Sequence, residues 1–191
     1  MLGVEPTDLP GEVIVDETNT YSEECGEEGK EGEEGGSEEG SGIDVINIDG
    51  IISFLQCDPR WGNLMYGSEG INGTKGKTIC NSGCGPTSFA SILATMGFNV
   101  TPADVADVAG RAGMYEYGVG SSHQITRVLA EHYGLTYQGI NPKSVDQINS
   151  LLHSGYMVHI VGKGSLPFSP GGHYVAIMGV DSNGNWIVAD S

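Results

Sequence analysis

Hydrophobic positions recur at helical spacing over residues 84–96, a run that Cys84-Gly85-Pro86 opens and Gly97 stops. Thr101 followed by Pro102 is an N-cap with proline at the first helical position, which predicts a helix over 103–112. Another helix is predicted over 122–133, ending at Gly134. Ser144 with Gln147 forms a capping-box pattern for a helix that ends near His153. Beyond it the alternation becomes that of strands. Residues 156–161, 173–180 and 186–189 are rich in β-branched and aromatic residues, and the last two runs are joined by 181–185, whose Asn183-Gly184 step is a hairpin signal. A short strand at 51–55 precedes the helices. This order predicts an α+β fold in which N-terminal helices pack on a C-terminal antiparallel β-sheet. No internal repeat is evident.

Charge divides the chain differently. Residues 1–50 hold 16 of the 25 acidic residues and one Lys, a net of −15, whereas residues 51–191 hold 9 acids against 7 Lys or Arg. Residues 22–42 are almost entirely Glu, Gly and Ser, too poor in apolar surface to offset chain entropy, so 1–42 is expected to be an acidic, disordered linker and 43–191 the folded domain. No basic excess exists for phosphate contacts, which excludes strong nucleic-acid binding. The longest apolar runs, such as 174–180, fall far short of the roughly 20 residues of a membrane span. The start Met1-Leu2-Gly3-Val4-Glu5 lacks a signal-peptide pattern. The tether favours one piece of a longer, secreted or cell-wall-associated protein, monomeric and joined to another domain.

Chemistry concentrates at Ser82-Gly83-Cys84-Gly85-Pro86-Thr87-Ser88. A cysteine at a helix N-terminus, where unpaired N–H groups and the helix dipole favour a thiolate, with glycines on both sides, meets the requirements of a nucleophile; the alternative is a buried cysteine in a tight turn. A thiol nucleophile needs a base. His132 and His153 fall near helix C-termini, His159 alternates inside an apolar strand as a core or sheet-face residue, and His123 sits in a loop before a helix. His173 opens a strand after Ser169-Pro170-Gly171-Gly172, and Asp190, across the hairpin, falls within a few residues of it, allowing for a bulge. Gln56 can serve as a neutral oxyanion donor. Cys80-x-x-x-Cys84 has no second pair at ligand spacing, so no metal is expected, nor any cofactor.

Gln56-x-Asp58-x-x-Trp61, Tyr66-Gly67, Gly83-Cys84-Gly85-Pro86-Thr87-Ser88, Gly172-His173-Tyr174 and Val188-Ala189-Asp190 together resemble the family-39 cysteine peptidases. These are the bacteriocin-processing, or double-glycine, peptidases and their stand-alone relatives, on a papain-like fold. The similarity spans residues 51–191, and its wording is closer to the stand-alone branch, often attached to cell-wall hydrolases. It implies Cys84 as nucleophile, His173 as general base, Asp190 as its orienter and Gln56 as oxyanion donor. It also implies a domain continuing some residues past Asp190. Having Gln56 and Cys84 converge on one oxyanion draws Cys57 and Cys80 within a disulfide's reach, which suggests a Cys57–Cys80 bridge and an oxidising setting; two ordinary thiols are the alternative. Cys25 is then an unpaired thiol.

The Gly-rich segments 118–120 and 169–172 are expected cleft walls, with Gly83, Gly120, Ser121 and Gly172 as substrate-binding positions. They suit extended, small-side-chain peptides, including stem or bridge peptides of peptidoglycan. The expected function is peptide-bond hydrolysis by a Cys-His-Asp triad in a bacterial or phage cell-wall hydrolase. A non-catalytic peptide-binding module, a leader-processing peptidase, and an acyl transferase or amidase using the same triad are the alternatives.

Overall fold

The computed structural model describes residues 12–15, 45–48, 50–66, 77–116, 118–140, 144–163 and 172–191. Residues 22–42, Cys25, Gly67 and the loop positions 169–171, all drawn on above, lie outside the described residues. The elements run β1 (Glu12–Val15), β2 (Val45–Ile48), β3 (Ile51–Phe54), β4 (Met65–Tyr66), β5 (Lys77–Thr78), α1 (Ile79–Ser82), α2 (Cys84–Thr95), α3 (Pro102–Arg111), β6 (Tyr115–Glu116) and β7 (Gly120–Ser121). They continue with α4 (Ile125–His132), β8 (Thr136–Gly139), α5 (Val145–His153), β9 (Met157–Lys163), β10 (Gly172–Val180) and β11 (Trp186–Ala189). The fold is α+β, as the order of periodicities predicts.

The main sheet has the order β11-β10-β9-β1-β8. Strands β9, β10 and β11 are antiparallel, as expected. The other half departs from expectation, because β1 runs parallel to both β9 and β8, so the sheet is mixed. Strand β1 comes from inside the stretch read as linker. Three of its four residues, Val13, Ile14 and Val15, are β-branched and apolar, the composition of strands inside parallel sheets, which the acidic surroundings masked in the sequence.

Helix α2 is the centre of the molecule: every residue from Cys84 to Ala94 is buried. A helix buried on all sides needs apolar or small residues on all sides, and Phe-Ala-Ser-Ile-Leu-Ala supplies them. It packs against β3, α3, α4 and β10. Alternation on β10 turns Tyr174, Ala176 and Met178 into this main core, while Ile177 joins Ile148, Leu152 and Val158 in a smaller cluster under α5.

The predicted helix ends hold where side chains cap them. Thr101 Oγ1 accepts the Asp104 N–H and the Asp104 carboxylate accepts the Thr101 N–H. Ser144 Oγ accepts from the Gln147 N–H. Helix α4 starts at Ile125 and not at 122, because Ser122 turns the chain first, its Oγ accepting from Gln124 N–H and its carbonyl from Ile125 N–H. In the hairpin, Asp181 accepts from the Asn183 and Asn185 N–H groups and Gly184 takes φ 85°. Among the described residues no helix is long and apolar enough to cross a membrane.

Candidate active site

Cys84 is the first residue of α2 and is 4% exposed. Two close approaches explain the glycines around it. A Cβ on Gly83 would lie 2.6 Å from the Ile79 carbonyl oxygen, and one on Gly85 would lie 2.6 Å from Ser121 Oγ and 2.9 Å from Ser121 Cβ. Here the glycines let the cysteine turn be packed tightly from both sides. The N-cap position, Gly83, offers no side chain to the first-turn N–H groups, so the positive end of the helix dipole is not capped by one.

Gln56 and the two neighbouring cysteines tie this turn to the end of β3. Cys57 and Cys80 form a disulfide. Gln56 Nε2 donates to the Ile79 carbonyl at 2.8 Å and to the Cys80 carbonyl at 2.7 Å. An amide NH2 has two hydrogens, so both are engaged and Gln56 braces the segment before Cys84; donation to an oxyanion requires one of these bonds to open. The segment after Gln56 is itself anchored. The Asp58 carboxylate, buried, accepts from Arg60 N–H, Nε and Nη2 at 2.8, 2.9 and 2.6 Å. Those bonds hold its pKa below the usual carboxylate range against the cost of burial. The Arg60 guanidinium lies 4.4 Å over the Trp61 ring, and Trp61 Nε1 donates to the Leu55 carbonyl.

His173 and Asp190 meet. Nε2 lies 2.6 Å from Asp190 Oδ1, with the histidine side chain 15% exposed and the aspartate 38%. The pairing of Ala176 with Ala189 and Ile177 with Val188, continued by one step, puts Asp190 opposite Val175, which shares a strand face with His173. The bulge that this approach allows for is present, between Ile177 and Gly179. With Nε2 taken, Nδ1 is the nitrogen that can receive a proton from elsewhere.

Two tyrosines border the cysteine. Tyr66 is fully buried, and its hydroxyl lies 2.9 Å from Ser121 Oγ. Tyr174, next to His173, donates to the Ser122 carbonyl at 3.2 Å. Burial raises the pKa of both, and a thiolate at Cys84 would add to the rise; all three residues stand in one core cluster. Neither phenol stands out in sequence beyond its place in a motif.

The expected substrate-binding positions divide. Gly83, Gly120 and Ser121 are buried in packing, and Ser121 spends its hydroxyl on Tyr66. At Gly172 an added Cβ meets nothing within 4 Å. His159 is in the core, His153 Nδ1 bonds the Asn149 carbonyl, and His123 is half-buried in the turn before α4.

No curated protein and no solved structure matches the chain significantly. The family described as Peptidase_C39 like matches residues 70–191, a span that includes Cys84, His173 and Asp190 and leaves Gln56 and Cys57 outside. Since this covers well over half of the 191 residues, the chain belongs to the Peptidase_C39 like family.

Proposed function

We propose that the chain is a cysteine peptidase on a papain-like fold, with Cys84 as nucleophile, His173 as general base and Asp190 as its orienter. The observation that carries this reading is the 2.6 Å contact of His173 Nε2 with Asp190 Oδ1; His173 directly precedes Tyr174, which stands in the same core cluster as Cys84. Such a carboxylate fixes the tautomer of the imidazole and stabilises its protonated form. Proton transfer from Cys84 to Nδ1 gives a thiolate that attacks the peptide carbonyl. The Cys84 backbone N–H and the Gln56 amide, once released from one carbonyl, hold the developing oxyanion. The imidazolium then protonates the leaving amine, and water, activated by the same ring, hydrolyses the thioester.

The substrate we propose is a stem or bridge peptide of peptidoglycan, met outside the cell as part of a larger wall-associated protein. Two observations support this: the disulfide suits an oxidising compartment, and a near-neutral domain selects by shape more than by charge. Cys84→Ala should abolish the release of new amino termini from purified peptidoglycan while changing stability by less than about 1 kcal/mol; full activity in this variant would refute the assignment. A peptide-binding module is the second reading, favoured by the burial of Cys84 and the engaged Gln56 amide. It requires wild-type Cys84 to label with iodoacetamide like an ordinary thiol, with a midpoint near pH 8.5.

A further inference from the structure

His159, on β9, has no exposed surface and bonds through both ring nitrogens. Nε2 lies 2.8 Å from Ser88 Oγ and Nδ1 lies 2.6 Å from Thr126 Oγ1. Ser88 stands one turn after Cys84, and its hydroxyl lies 2.6 Å from the Cys84 carbonyl oxygen and 3.2 Å from that of Gly85. Thr126 belongs to α4. The ring stacks on Tyr174 at 4.9 Å and 25°, and meets the Phe89 ring edge-on at 5.5 Å. The imidazole therefore sits where α2, α4, β9 and β10 converge, between the turn of Cys84 and the neighbour of His173.

Counting hydrogens gives this chain a direction. A neutral imidazole has one N–H and one lone pair, and each hydroxyl has one hydrogen. With the Ser88 hydrogen given to the Cys84 carbonyl, the Ser88 oxygen must accept from Nε2–H. Nδ1 is then the acceptor for the Thr126 hydroxyl. Each hydrogen is used once, and this holds only for the neutral ring. Burial keeps it neutral, pushing the pKa down to about 3 against the opposing pull of the Gly85 carbonyl. A fully satisfied buried network of this kind fixes geometry in a way an apolar side chain of equal volume would not.

We infer that His159 is a positioning residue for the cysteine–histidine pair: through Ser88 it fixes the first turn of α2, and through Tyr174 it seats the strand position beside His173. The inference rests on the reading of Cys84 and His173 as that pair. His159 acts on the pair through Ser88 and Tyr174.

The test is the pH profile of iodoacetamide labelling at Cys84, read by mass spectrometry of the Cys84 peptide, which needs no substrate. Wild type should label well below pH 8; an ordinary thiol profile would overturn the pair and this inference with it. His159→Phe should move the midpoint up by about one pH unit, and Ser88→Ala, which cuts the link from His159 to the Cys84 turn while sparing the Thr126 side of the ring, should move it the same way. Thr126→Val removes a comparable hydrogen bond on the side away from Cys84 and should leave the midpoint unchanged. If His159→Phe does not fold, Ser88→Ala and Thr126→Val decide alone. Equal shifts in those two, or an activated wild-type profile that Ser88→Ala leaves in place, would overturn the inference while sparing the pair.

Discussion

At the scale of single residues, Gly85 and Asp58 set the site's surroundings by opposite means, one by lacking a side chain and the other by burying a charged one. Gly85→Ala would push a methyl group against Ser121, whose hydroxyl is held by Tyr66. Overpacking of this kind should cost about 1–3 kcal/mol, seen as a lower midpoint in urea. Gly97 offers the contrast: a Cβ there meets open space, but its φ of 91° makes alanine strained for a backbone reason. Asp58 adds a pH dependence. Its folded pKa lies below its unfolded one, so its contribution to stability is present above the ordinary carboxylate pKa and is lost as pH falls through the folded value. Asp58→Asn should therefore flatten the acid limb of a thermal-stability profile below the ordinary carboxylate pKa of about 4, and leave the profile above about pH 6 parallel to wild type. The sequence reveals residue types here but not their commitments. His159 reads as a core residue from alternation alone, and so it is. That its two nitrogens meet hydroxyls 71 and 33 positions away is a fact of tertiary packing. The same holds for Gln56, whose amide faces two carbonyls more than 20 positions on.

At the scale of elements, the parts legible in sequence are those with local chemistry. Thr101, Ser144, Gly97, Gly134 and Asn183-Gly184 mark ends and turns through bonds or φ values within a few residues of themselves, and the structure places boundaries within a residue or two of them. The parts that were not legible depend on distant partners. Strand β8, Thr-Tyr-Gln-Gly, is short and mixed in polarity, and exists because β1 lies beside it. The joint between β3 and α1 is cross-linked by a disulfide closing 23 residues. Chain-entropy arguments assign such a loop about 3 kcal/mol, so reduction, or Cys57→Ser with Cys80→Ser, should lower the unfolding free energy by about that amount in urea titrations with and without reductant. Loosening this joint also frees the Gln56 and Cys84 segments from each other, so activity should fall before the fold does. Strand β1 gives an element-level prediction as well. A chain starting at Ile43 lacks the strand between β8 and β9, and should unfold at lower urea concentration than the whole chain; equal midpoints would show that 12–15 contribute nothing to the sheet.

At the scale of the molecule, charge and architecture are nearly independent. The first 50 residues carry −15 and the remaining 141 carry −2, so long-range steering by the folded part is weak. Raising salt from about 0.05 to 0.5 M should change peptide turnover by less than about threefold, whereas a steeply falling rate would mean that the acidic segment takes part in recognition. The place of β1 changes what that segment is mechanically. Residues 12–15 lie between β9 and β8 in the main sheet, and residues 45–48 pair with β3, which packs on α2, so the strands on either side of 16–44 are fastened to one folded body. A cut by a glutamyl-specific protease within this span would then sever the chain without releasing its front piece. The fragment bearing 12–15 should co-elute with the remainder under native conditions and separate from it only in denaturant, the behaviour of a nicked protein held together by its own β-sheet.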